Sequence, residues 1–139
     1  LEWFEFLNWG VFNKTINRLN LNMQNSLLSG EIGSGKSTIV DAICTLLLPT
    51  NKIIYNKAAG AKAKERTLQS YILGEYKKSI DEYGVASVKR LRDESDFTLL
   101  IAKFKNEGLM EEVYLGLFLS VRNAQVVKIY FISREKIEI

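Results

Sequence analysis

The feature that most constrains this chain is the run Gly30-Glu31-Ile32-Gly33-Ser34-Gly35-Lys36-Ser37. It fits the pattern G-x-x-x-x-G-K-[ST], in which a glycine-rich loop surrounds phosphate groups with inward-facing backbone N–H groups. Gly30, Gly33 and Gly35 suit such a loop because glycine accepts positive φ angles and has no Cβ to obstruct a ligand. The alternative interpretation is a glycine-rich turn that only caps a helix.

The end of this run predicts how phosphates are bound. We expect the ammonium group of Lys36 to contact the β- and γ-phosphates of a nucleotide as a point charge. The Ser37 hydroxyl is expected to bind Mg²⁺, which retains several waters and shares phosphate oxygens. A helix that begins near Lys36 adds its unpaired N–H groups and the positive end of its dipole.

The flanking residues supply the setting that the motif requires. Residues 25–29 predict a short strand before the loop, and residues 36–48 predict a helix after it, with apolar side chains near helical spacing. Pro49 ends that helix, because proline disfavours helical backbone in the preceding residue. Strand, glycine loop and helix are the expected context of a phosphate-binding loop.

The remaining chain predicts an α/β domain with an antiparallel sheet. Residues 5–12 and 15–21 predict an antiparallel strand pair with a turn at Asn13-Lys14, and its Trp and Phe side chains are expected in the core. Residues 65–76 predict a helix, and residues 77–95 a mobile loop. Three β-branched and aromatic segments predict a three-stranded meander, over residues 97–104, 112–121 and 125–132.

Composition places the chain among globular proteins. Its 139 residues suffice for one modest domain. No apolar run approaches the roughly 20 residues that span a bilayer, and the first residues lack the pattern of a signal peptide. The single cysteine, Cys44, suits a reducing cytoplasm and is expected to be a buried structural thiol.

Positive charge is concentrated in the basic segment, which we define as residues 51–92. Its net charge is +6, whereas that of the whole chain is +3. Such a field suits the backbone of a nucleic acid, for which Lys62, Lys64 and Arg66 are the candidate contacts. A solvated surface with some lysines near nucleotide phosphates explains the same charge.

The order of these elements resembles a known family. Antiparallel strands, a glycine-rich loop about thirty residues in and the helix start Lys36-Ser37-Thr38-Ile39-Val40-Asp41-Ala42-Ile43 resemble the N-terminal lobe of ABC-type ATPase heads of the SMC, Rad50/SbcC and MukB group. The opening Asn8-Trp9-Gly10-Val11-Phe12 matches that group's N-(W/F)-x-x-F. Ile32 departs from it, because most members have Asn there. Together with residues 55–61 and 65–71, the loop looks similar to a narrower branch, the MukB-like ATPase subunit of Wadjet plasmid-defence systems (JetC, MksF or EptC).

The resemblance implies that ATP and Mg²⁺ are held by Gly30 to Thr38 and sandwiched between two heads, with Asn13 and Lys14 approaching the nucleotide. Implied partners are a second head, DNA, kleisin-like and winged-helix subunits and a nuclease, in the cytoplasm and without a membrane. A Walker B glutamate, a signature motif and coiled-coil heptads are not found in residues 1–139. We therefore expect half of a head, a single partial domain that hydrolyses ATP only when completed by a C-terminal lobe. Gln69 and Gln125 are candidates for the family's Q-loop glutamine.

Two other functions remain open. One is a DNA-repair ATPase similar to RecF or Rad50. The other is a module that binds nucleotide without hydrolysing it and uses it only to control assembly.

Overall fold

A computed structural model describes residues 1–55, 67–80 and 86–139. The strands and helices in these ranges are β1 (Trp3–Leu7), β2 (Ile16–Asn20), α1 (Lys36–Leu47), α2 (Leu68–Leu73), β3 (Glu75–Ile80), β4 (Ala86–Arg90), β5 (Phe97–Asn106), β6 (Glu111–Arg122) and β7 (Gln125–Ser133). None of the described helices has the length and apolar character needed to cross a membrane.

Five strands form one antiparallel sheet in the order β2-β1-β5-β6-β7, and β3 and β4 form a separate hairpin. β1 lies between β2 and β5, so that Trp3 is opposite Asn20 on one side and Lys103 on the other. The predicted pair at the start and the predicted meander β5-β6-β7 are therefore confirmed. Joining them through β1 and β5 makes one continuous sheet.

The main core lies between one face of this sheet and the two helices. Strand residues alternate between faces, and Phe4, Phe6 and Leu100 are fully buried on the helix side. The helices contribute apolar side chains to the same cluster: Ala42, Leu46, Leu68, Tyr71, Ile72 and Leu73. The aromatic residues of the first segment are thus core residues, as expected.

The opposite face of the sheet holds a smaller cluster. Trp3, Ile101 and Tyr114 are buried there, and Ile137 and Ile139 from the end of the chain pack against them. β1 is therefore covered on both faces, which explains why Trp3, Phe4, Glu5 and Phe6 are all buried in a row.

Three predictions of secondary structure from the sequence were wrong. The predicted strand at residues 25–29 does not form in the described structure, where this stretch is exposed and lacks regular structure; a strand exists only with a partner for its backbone groups. The first strand is Trp3–Leu7, so Trp9 and Phe12 lie in the β1–β2 loop, residues 8–15. The predicted loop at residues 77–95 contains most of the β3–β4 hairpin.

The other local predictions hold with small changes. Helix α1 ends at Leu47, and the next residue has extended backbone before Pro49. Helix α2 is shorter than predicted. Thr67 and Ser70 form a capping box at its start, and Gly74 ends it in the left-handed conformation at φ 64°.

Candidate phosphate-binding site

The glycine-rich loop has the backbone that its sequence predicts. Gly30, Gly33 and Gly35 all have positive φ angles, of 150°, 86° and 90°, in a range that L-residues rarely adopt. Gly35 is the N-cap of α1, so no side chain caps the first turn, and that turn contains no acidic residue. The N–H groups of the first turn therefore suit an anionic ligand, and the residues present fit a phosphate group.

The side chain of Lys36 lies across the loop. Its Nζ donates to the carbonyl oxygens of Gly30 and Glu31, each at 2.6 Å, and contacts Ser34 Oγ at 3.4 Å. A positive charge is thereby held at the centre of the loop. Ile32, at the tip, is fully exposed and contributes only its backbone to the loop.

The β1–β2 loop contacts the phosphate-binding loop through Phe12. A Cβ on Gly35 would lie 2.9 Å from the Phe12 ring, closer than real side chains approach. Gly35 is therefore required twice, by its positive φ and by this contact. The adjacent Asn13 and Lys14 belong to the same β1–β2 loop, and their contact with a nucleotide stays a prediction.

The two polar residues of the β1–β2 loop have different surroundings. The Oδ1 of Asn13 accepts a hydrogen bond from Arg92 at 3.2 Å. Lys14 has an exposed side chain and a φ of 54°, and its N–H donates to Asn8 Oδ1 at 2.7 Å. Lys14 is thus the more accessible candidate for contact with a ligand.

Ser37 and Thr38 face different environments in the first turn of α1. Ser37 lines an open cavity of about 390 Å³, together with residues of α1 and the following segment: Val40, Asp41, Cys44, Leu48, Lys52, Ile53 and Ile54. Ser37 is therefore accessible from this cavity, and its role as a Mg²⁺ ligand stays a prediction. Thr38 is buried, and its methyl group lies near Gly10, so only its backbone remains a candidate for ligand contact.

Cys44 is half-buried beside this cavity and less buried than expected. Burial raises the pKa of its thiol, and the nearby Asp41 carboxylate raises it further. The thiol therefore stays protonated near neutral pH, as expected for a structural cysteine.

Helix α1 is fixed by residues outside the motif. Trp9 Nε1 donates to the carbonyl oxygen of Thr38 at 2.7 Å, and its ring stacks on Tyr71 at a centroid distance of 4.6 Å. The Tyr71 hydroxyl in turn donates to the carboxylate of Asp41. The sequence predicted Trp9 as a core residue and a helix that includes Tyr71, but it did not reveal that the two side chains connect the start of α1 to α2.

The basic segment is not one surface. Arg92 is only 4% exposed and its guanidinium bonds to oxygen atoms inside the protein, so its inclusion in a nucleic-acid-facing segment was wrong. Lys77, Lys89 and Arg90 are exposed. Lys62, Lys64 and Arg66 lie outside the described residues. Gln69 is half-buried on α2, and Gln125 is exposed at the start of β7.

Comparison with known proteins agrees with this geometry. Residues 1–62 match the family described as the P-loop containing region of the AAA domain. A solved structure from work on ATP-driven dimerization and DNA-stimulated activation of SMC ATPases superposes on this chain with a TM-score of 0.62 and 18% sequence identity. The superposition covers 94% of this chain and 68% of the chain in that structure. A search of curated proteins found no match.

The chain has the fold of an SMC-type ATPase head lobe. It combines a P-loop region, the P-loop helix α1 and an antiparallel sheet, which is the α/β class predicted from the sequence.

Proposed function

We propose that this protein binds ATP with Mg²⁺ at residues 30–38 and acts as the N-terminal lobe of an SMC-like DNA-translocating ATPase. One observation carries the proposal: the Lys36 ammonium lies within 2.6 Å of two loop carbonyl oxygens, in a loop that leads into the first turn of α1, where no side chain caps the helix. A fixed cation and free backbone donors are what a triphosphate requires. Mg²⁺ held by Ser37 and phosphate oxygens would neutralise charge there.

The chemistry in the described residues is binding and charge neutralisation. We infer that a C-terminal lobe supplies the group that orients water, so residues 1–139 alone should hydrolyse ATP only at background rate. A second head is the proposed partner that closes over the nucleotide. The similar SMC ATPases are described as dimerizing in an ATP-driven manner, which supports this assembly.

The sequence favours the Wadjet branch as the biological setting. There, hydrolysis would drive DNA translocation or loop extrusion in the cytoplasm, with kleisin-like and winged-helix subunits and a nuclease that cuts small circular DNA. The support is the loop with Ile32 and the two following segments at residues 55–61 and 65–71.

The next few hundred residues of the gene test this setting. Heptads followed by a signature motif and a Walker B glutamate support a motor. The alternative within the enzyme class is a RecF- or Rad50-like repair ATPase. A chain that ends with neither motif supports the non-hydrolysing module.

The binding site is tested by Lys36→Ala in the full-length protein. We expect loss of ATP binding and of ATP-dependent function, because the phosphates lose their main side-chain cation. Binding is measured by calorimetry with a non-hydrolysable ATP analogue. Lys105→Ala is the matched control, since Lys105 is an exposed lysine on β5. Equal affinity and turnover in the Lys36 variant and the parent would refute the assignment.

A further inference from the structure

The side chain of Arg92 uses all of its donor groups inside the protein. Nε donates to Ile72 O at 2.7 Å, and Nη2 donates to Tyr71 O and Gly10 O, both at 2.8 Å. Nη1 donates to the main chain of Phe12 and the side chain of Asn13, at 2.9 and 3.2 Å. A guanidinium has five N–H groups, so every one is matched to an oxygen atom.

These acceptors come from two segments that are distant in sequence. Tyr71 and Ile72 lie in the last turn of α2, at the negative end of the helix dipole, and the carbonyl oxygen of Tyr71 also accepts from the N–H of Gly74 at 3.3 Å. Gly10, Phe12 and Asn13 lie in the β1–β2 loop. Arg92 therefore joins the end of α2 to that loop from a third position, between β4 and β5.

The site is built specifically for a guanidinium. A Cβ on Gly74 would lie 2.8 Å from Arg92 Nη2, so only glycine leaves room at the end of α2. Burial lowers the pKa of Arg92 to about 10 because desolvation disfavours the charged form, yet the side chain remains a cation at neutral pH. Lysine cannot replace it, since an ammonium group has three donors and no planar fork.

The β1–β2 loop that Arg92 holds also contacts the phosphate-binding loop. The Phe12 ring packs against Gly35, and Trp9 of the same loop donates to Thr38 O in the first turn of α1. Gly10 N donates to Tyr71 O at 2.9 Å, which fixes the loop to α2 a second time. A shift of the loop would therefore move Phe12 and Trp9, and with them the N-terminus of α1.

We propose that Arg92 is a positioning residue for nucleotide binding, which acts by holding the β1–β2 loop so that Phe12 and Trp9 fix the phosphate-binding loop and the start of α1. This inference rests on the proposed function, because it assigns Arg92 to the same site. The inference also distinguishes Arg92 from the surface lysines and arginines of the basic segment. The guanidinium of Arg92 binds oxygen atoms inside the protein and does not contact DNA.

The test compares Arg92→Lys with the parent in the full-length protein. Affinity for a non-hydrolysable ATP analogue is measured by calorimetry at a temperature where both are fully folded. We expect roughly tenfold weaker binding, a typical size for coupling between two positions, because an ammonium group cannot match all five acceptors and the β1–β2 loop is then held less firmly. Arg90→Lys is the matched control, because Arg90 is a half-exposed arginine two residues away that pairs with Glu75.

A second control separates positioning from general destabilisation. Ile101→Ala truncates a fully buried side chain of β5 in the smaller cluster on the opposite face of the sheet, which includes no residue of the β1–β2 loop, so it should lower the melting temperature without changing that loop. We expect Ile101→Ala and Arg90→Lys to bind the analogue like the parent. If Arg92→Lys also binds like the parent, the inference is overturned while the proposed function stands.

If Arg92→Lys does not fold, Phe12→Leu replaces it in the same measurement. Weaker binding by Phe12→Leu supports the proposed path from the β1–β2 loop to Gly35, and parent-like binding overturns it. A parent protein that binds no nucleotide refutes the proposed function and this inference together, so the two failures are distinguishable.

Discussion

Single residues of this lobe combine backbone and packing requirements, and Gly35 is the clearest case. The motif explains its positive φ of 90°, since the loop must turn into α1. The motif does not explain the Phe12 ring beside it, which comes from a part of the sequence more than twenty residues earlier. The backbone conformation of the loop could thus be predicted from the sequence, whereas the side chains that pack against the loop became apparent only in the folded structure.

Gly35→Ala and Gly33→Ala form a matched pair that separates these two requirements. Both variants force alanine into a positive φ, which costs about 1–2 kcal/mol. Only at position 35 would the new Cβ also meet the Phe12 ring, because Gly33 has nothing within 4 Å. We expect Gly35→Ala to be about 1–3 kcal/mol less stable than Gly33→Ala from this overpacking, as measured by urea unfolding. Phe12→Leu should recover part of that difference, and equal stability of the two glycine variants would contradict the packing argument.

At the scale of elements, a strand could be predicted from the sequence when at least one of its faces is buried. β5 and β6 alternate or run apolar because the sheet covers them, and their existence was predicted from residue pattern alone. The β3–β4 hairpin was missed because Tyr76, Lys77 and residues 87–90 are exposed, so these residues show no hydrophobic period. The stretch 25–29 shows the converse, since its composition suits a strand but no described strand pairs with it.

A charged cluster connects β5 to its neighbours in the sheet. Lys103 Nζ lies 2.8 Å from Glu2 and 2.7 Å from Glu112, and its side chain is only 13% exposed. The hydrogen bonds that Lys103 donates to Glu112 and Glu2 raise the pKa of Lys103, and the bond that Glu112 accepts lowers the pKa of Glu112. Because the pKa of Glu112 is lowered in the folded protein, its pairing stabilises the fold at pH values above 4.5, the ordinary pKa of the group. This stabilisation is lost as the pH falls further. Because the pKa of Lys103 is raised in the folded protein, its pairing also stabilises the fold at pH values below 10.5, the ordinary pKa of the group. This stabilisation is lost at higher pH.

Lys103→Met should therefore lower the melting temperature between about pH 5 and pH 10, the window in which both partners are charged. The decrease in melting temperature below pH 4.5 should be shallower in the variant than in the parent, because the pairing with Glu112 is already gone. Thermal unfolding followed by circular dichroism across about pH 3–10 checks this. Lys105→Met is the control, since Lys105 is more exposed and lies 3.9 Å from Glu107. Parallel curves for the parent and Lys103→Met would show that the cluster contributes nothing that depends on pH.

At the scale of the whole molecule, the DNA role of the basic segment is a separate proposal. Scattered lysines suit phosphate contacts, which depend on salt and carry little sequence preference. We expect replacement of Lys62, Lys64 and Arg66 by Glu to lower both the DNA affinity of the ATP-bound complex and the steepness of its salt dependence. Fluorescence anisotropy over a salt titration measures this, with ATP affinity measured on the same variant. DNA binding that is unchanged at every salt concentration would remove the segment from the DNA interface.

The pairing of β1 with β5 has a consequence for biosynthesis. β1 ends at Leu7 and β5 begins at Phe97, so roughly 90 residues, or about 5–20 s of translation, separate their appearance at the ribosome. Until then Phe4 and Phe6 have no sheet partner on that side, so we expect the nascent chain to expose apolar surface. A chain that stops after residue 96 should bind a hydrophobic dye and be cleaved rapidly by protease. One that stops after residue 122 keeps the pairs β1–β5 and β5–β6, and it should bind less dye and resist cleavage better. Equal protection of the two truncated chains would show that the first strands fold without waiting for β5.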